Sequence, residues 1–177
     1  MPASLFTALD KKAAWLAFLL GLATILGAWA SQLWGGLVPC ELCLGERVPY
    51  YWGLPLLLVI LILWNRLPLT VWYIGMVVVA AIFVWSVYLG VFHAGVEWKF
   101  WPGPTACTGN GDQLNLNQLN DLNAVKIVQC DQVQWRDPVL QLSLAAWNAI
   151  LSLVIVVLLV VAMADQYRRG GRRAVAA

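Results

Sequence analysis

Hydrophobic and polar residues along this chain fall into long blocks rather than a short helical or strand period. Four stretches hold no Asp, Glu, Lys or Arg: residues 13–40, 48–65, 67–96 and 138–164, of 28, 18, 30 and 27 residues. A bilayer core about 30 Å thick needs about 20 apolar residues in a helix. A charge at the centre of such a helix costs roughly 2.5–3.5 kcal/mol on insertion scales, so charges are kept out of it. An apolar run of about 10–14 residues would suit a buried helix of a water-soluble protein instead. The pattern therefore predicts an all-α membrane protein, a bundle of four transmembrane helices over approximately 14–33, 50–64, 71–91 and 144–163. The chain is expected to be one domain, residues 1–177, with two outer loops, 34–49 and 92–143. The second span is the shortest, and its Gly53 and Pro55 predict a kink.

Composition agrees and closes other routes. Hydrophobic residues make up 62% of the chain and charged residues 11%, against about 25% charged in a typical soluble domain. So apolar a chain is not disordered, and a net charge of +2 gives no reason to expect nucleic acid as a partner. The first block has a basic flank, Lys11–Lys12, and a small-residue sequence, Ala28-Trp29-Ala30, as a signal peptide would. It is longer than the usual apolar region of about 7–15 residues, so a retained anchor is expected.

The sign of the charges then orients the bundle, because Lys and Arg near span ends favour the cytoplasm. Lys11, Lys12, Arg66, Arg168, Arg169, Arg172 and Arg173 fall on one side, with only Asp10 and Asp165. Arg47, Lys99, Lys126 and Arg136 fall on the other, with the remaining seven acids. Both termini are expected to be cytoplasmic and both loops outside. Most of the 11 Trp sit near span ends, where indoles prefer the wet–dry boundary. Trp85 falls inside a span with no such explanation.

All four cysteines lie in the outer loops, the oxidising side where disulfides persist. Cys40 and Cys43 form a C-x-x-C in the first loop; Cys107 and Cys130 enclose 22 residues in the second. Three readings compete. Structural disulfides suit any even set of outer cysteines. A zinc site needs two close ligands plus two more, yet there is no second C-x-x-C and His93 is the only histidine; no metal is expected. Redox-active pairs are the third. A C-x-x-C ring is too small to add much stability, while its spacing commonly lowers a thiol pKa. Arg47, four residues after Cys43, shares its face if the segment is helical, and with a helix N-terminus near Pro39 would favour a Cys43 thiolate. Glu41 and Glu46 oppose this, and Pro49 is expected to break the helix leading into the second span. In the long loop Trp101-Pro102-Gly103-Pro104 predicts a stiff turn. Leu116, Leu119, Leu122 and Val125 predict a short amphipathic helix on the membrane surface.

The residues carrying these signals resemble the disulfide bond formation protein B (DsbB) family, quinone-dependent thiol oxidases of the bacterial inner membrane. The matching pieces are Pro39-Cys40-Glu41-Leu42-Cys43-Leu44-Gly45-Glu46-Arg47, His93, Trp101-Pro102-Gly103-Pro104-Thr105-Ala106-Cys107 and Cys130. With the four-span layout, the likeness covers essentially the whole chain. It implies two redox disulfides, Cys40–Cys43 and Cys107–Cys130, and a soluble DsbA-like thiol oxidase in the periplasm as partner. Cys107 would form the mixed disulfide with that partner, Cys130 would attack Cys40, and Cys43 would face the quinone with Arg47. The resemblance also places His93 and Gln32 at the quinone, which would be ubiquinone or menaquinone from the membrane pool. Two alternatives stand beside this reading. One is a paralogue dedicated to a single oxidase, and the other a tetraspan structural protein with inert disulfides.

Overall fold

The computed structural model describes residues 9–104 and 129–175, with side chains to Arg169. Each charge-free block folds as one helix: α1 Leu9–Leu33, α2 Glu41–Ile62, α3 Leu69–Glu97 and α4 Leu144–Val175. The described residues contain no strand, only an isolated bridge between Arg136 and Ser143. Helices α1, α3 and α4 (the last over Leu144–Arg169) are long and apolar enough to cross a membrane. Helix α2 carries Glu41, Glu46 and Arg47 in its first two turns, which lowers its hydropathy without shortening it.

The helices outlast the apolar spans that the pattern marks, except at the end of α2, which stops at Ile62, short of Trp64. Helix α2 starts nine residues before Tyr50 because Cys40 caps it. The Cys40 backbone is extended (φ −77°, ψ 173°), and its sulfur accepts the Cys43 N–H at 3.2 Å. That satisfies one of the donors a helix N-terminus leaves open. Pro49 does not break α2, which runs through both Pro49 and Pro55. Each proline forfeits one backbone hydrogen bond, and burial of Pro49, Tyr50, Gly53, Leu54 and Leu57 holds the segment helical. Helix α3 continues six residues past Val91. It stops where Lys99 takes a left-handed conformation (φ 63°). There the Lys99 N–H bonds to Val96 O at 3.1 Å and the Phe100 N–H to Gly95 O at 2.9 Å, closing the last carbonyls in a Schellman motif. His93 therefore sits on a helix and not in a loop.

In the bundle α1 packs on α2 and α4, and α3 packs on α2 and α4. Neighbours run antiparallel. At one end Arg169 of α4 reaches Asp10 of α1 at 3.3 Å and Asp165 at 2.5 Å, and Trp64 meets Trp72 edge-to-face at 5.1 Å across the α2–α3 turn. The core holds Leu57, Met76, Val79, Phe83, Ile155 and Leu159. Gly90 lets α3 approach α4 closely, since a Cβ there would lie 2.8 Å from Ala149 N. Large apolar side chains such as Leu19, Ile74, Val77, Leu153 and Val160 face outward, as expected of a surface meeting lipid rather than water. Trp85 is one of them. It stacks on Tyr88 at 5.1 Å, and the stack continues through Phe92 to Trp101.

Candidate functional site

The end of the bundle away from the Asp10–Arg169 cluster gathers the start of α2 and the ends of α1 and α3. Cys40 and Cys43 are free there, with sulfurs 2.6 Å apart. His93 Nε2 lies 3.7 Å from Cys40 Sγ. On the other side of the ring, Nδ1 lies 2.8 Å from Glu46 Oε1. His93 is 3% exposed and Glu46 8%, so the pair is shielded and its members satisfy each other, as buried polar groups must. Arg47 turns to α1, donating from Nη1 to Gln32 Oε1 at 2.7 Å and from Nη2 to Ala28 O at 3.2 Å. Its guanidinium also lies 5.7 Å from the centre of the Trp29 ring, within cation–π range.

Two thiols so close cannot share charge equally. The sulfurs share a hydrogen bond and the Cys43 N–H donates to Cys40 Sγ, and these contacts push the Cys40 thiol below its ordinary value despite burial. Cys43 is pushed up, first by that same hydrogen bond and then by burial. In the reduced pair the first proton thus leaves Cys40, whereas the sequence pointed to a Cys43 thiolate. The difference follows first from the hydrogen bond between the two sulfurs and then from the cap, in which Cys40 accepts the Cys43 N–H.

A cavity of about 690 Å³ opens beside the pair, within the range of ligand sites. Its wall includes Leu20, Ile25, Cys43, Arg47, His93 and Leu151. At its edge Tyr50 donates to Asn148 Oδ1 at 2.8 Å and lies 2.9 Å from Ser152, which meets Ser86 at 2.9 Å. Gln32 does not line the cavity; it reaches the site by holding Arg47. One nitrogen of His93 and the sulfurs of Cys40 and Cys43 lie within 4.8 Å of one another.

The second loop returns to this site. Cys130 is 1% exposed and packs against Cys40, and it is disulfide-bonded. Gln134 Nε2 donates to Val38 O at 2.7 Å, and Lys99 pairs with Asp131, so the segment is pinned over the pair. Cys107 and the expected amphipathic helix at 116–125 lie outside the described residues.

The sequence of this chain, over residues 10–162, matches the family model described as disulfide bond formation protein DsbB. The chain belongs to the DsbB family. No curated protein and no solved structure matched it. In this DsbB-family chain the C-x-x-C, Arg47 and His93 lie at one end of the bundle, and Glu46, which the sequence offered only as a charge opposing Arg47, lies against His93. Its signal was its place three residues after Cys43, on the helix face that turns toward α3.

Proposed function

We propose that this chain is a quinone-coupled dithiol oxidase of the bacterial inner membrane, reoxidising a DsbA-like thiol oxidase in the periplasm. The observation that carries it is the packing of Cys130 on Cys40 beside an apolar cavity lined by Cys43. All four helices span the bilayer in this reading, α2 through its part beyond Val48, with both termini cytoplasmic and the cysteines periplasmic.

Electrons move by contact between sulfurs. The partner's thiolate attacks Cys107 of a Cys107–Cys130 disulfide, because Cys130 is buried. Cys130 leaves with the electron pair and attacks Cys40, displacing Cys43 as a thiolate. With Cys40 bound to Cys130, Cys43 no longer hydrogen-bonds to a Cys40 thiolate, and it becomes the charged sulfur at the cavity. The partner's second thiolate then attacks the partner's own sulfur in the mixed disulfide, so that the partner leaves oxidised and Cys107 is released as a thiolate; Cys107 attacks Cys130, and Cys40 leaves with the electron pair.

The cavity fits a quinone ring, with Cys43, Arg47 and His93 in its wall and Gln32 steadying Arg47. Bound there, ubiquinone or menaquinone supplies a two-electron acceptor. Closing Cys40–Cys43 releases the two electrons that a quinone takes up, together with two protons from water, on becoming a quinol. Arg47 contributes a fixed positive charge and donors for an oxygen acceptor.

Reduced full-length protein in detergent should bleach added ubiquinone analogue while losing its free thiols, and Cys43→Ser should abolish the bleaching. Thiols that stay reduced in the presence of quinone, with no absorbance change, would overturn the proposal. An inert structural disulfide protein predicts that result.

A further inference from the structure

We infer that His93 serves Cys40, taking and returning its proton, and that Glu46 is the positioning residue that points His93 at that sulfur. The three form a buried line of carboxylate, imidazole and thiol: Glu46 Oε1 to Nδ1 at 2.8 Å, and Nε2 to Cys40 Sγ at 3.7 Å. With Nδ1–H donated to the carboxylate, Nε2 is left to exchange a proton with the sulfur. Glu46 touches no sulfur-bound proton itself; it sets the tautomer and steadies the imidazolium, the part a carboxylate plays behind a catalytic histidine.

The helices explain the line. Cys40 caps α2 and Glu46 lies in its second turn, so both face α3, and the extension of α3 past Val91 carries His93 between them. Other charged groups near His93 are few. Cys43 lies on α2, and Glu97 lies one turn further along α3, with Arg136 of the second loop acting on Glu97. Helices α1 and α4 carry their charged residues only at the opposite end of the bundle.

The inference rests on the reading of Cys40–Cys43 as a redox pair, and the proton balance follows from it. When Cys107 closes on Cys130, the Cys40–Cys130 bond breaks, the electron pair goes to Cys40, and His93 supplies its proton. When Cys40 closes on Cys43, the Cys40 proton returns to His93 as the new S–S bond forms, and the two electrons pass to the quinone, whose two protons come from water. His93 thus ends each cycle as it began.

Because His93 is the only histidine, its ring nitrogens can be read directly by ¹⁵N NMR in the full chain. The Nδ1–H tautomer should dominate the neutral ring, and Glu46→Ala should abolish that preference. A second measurement uses the full chain with Cys43→Ser, Cys107→Ser and Cys130→Ser, leaving Cys40 alone. The midpoint of its modification by methyl methanethiosulfonate is followed against pH, since access alters the rate but not the midpoint. His93→Gln should raise that midpoint and slow modification at pH 7 about 10-fold, one pKa unit being tenfold in thiolate. Glu46→Gln should raise it with His93 present but not in the His93→Gln background. An Nε2–H tautomer in the parent, superimposable profiles for parent and His93→Gln, or the same Glu46→Gln shift in both backgrounds would each overturn the inference. Quinone bleaching by the unmodified chain, measured separately, shows whether the redox reading itself stands.

Discussion

At the scale of single residues the site turns on which sulfur carries the charge. A lowered Cys40 pKa means the thiolate is present above the lowered value and lost as pH falls through it. The single-turnover rate of Cys40–Cys43 closure by quinone should therefore fall toward acid. Its midpoint should lie below the ordinary thiol value of about 8.5, as stopped-flow absorbance would show. Cys40, Cys43 and Arg47 were legible in the sequence because each neighbouring pair is spaced by about one helical turn. Glu46 was not, and read alone it was merely a charge opposing Arg47. Its partner His93 is 47 residues away, a contact that no local pattern announces.

At the scale of helices the positions were legible and the ends were not. Hydropathy sees the stretch that suits lipid, so it marked α2 only from Tyr50. The first two turns are held instead by a thiol cap and by hydrogen bonds to α1 and α3. Pro49 looked like a break because its cost was visible in sequence and the burial that offsets it was not. Close helix contact also has a local test. Gly90→Ala places a methyl against the backbone of α4 and should cost about 1–3 kcal/mol. Gly27→Ala meets nothing within 4 Å and should be neutral or stabilising by up to about 1 kcal/mol. Thermal unfolding of the two variants in one detergent would compare them.

At the scale of the molecule the charges divide the chain into two unlike ends. One holds the Asp10, Asp165 and Arg169 cluster that joins α1 to α4; the other holds the sulfurs. The sign rule puts the first end in the cytoplasm. In cells lacking the native cysteines, an impermeant maleimide should label Lys99→Cys from outside and spare Arg66→Cys until the membrane is opened. The reverse pattern would invert the topology. The all-helical class and the family were readable from block lengths and a few motifs. The return of the second loop onto Cys40 was not, since loop docking depends on contacts such as Gln134 with Val38 that carry no sequence period.

The burial of Cys130 against Cys40 under the pinned 129–135 segment also acts as insulation. A chain that carries electrons between sulfurs, in a compartment holding other thiols, risks a short circuit at every exposed disulfide. Here the sulfur junction is sealed on the solvent side, so stray thiols have no entry at Cys130. In the proposed relay, fidelity then comes from occlusion as well as recognition: current would enter where the partner docks and leave where the membrane carrier sits, with the stretch between them sheathed by the protein's own loop.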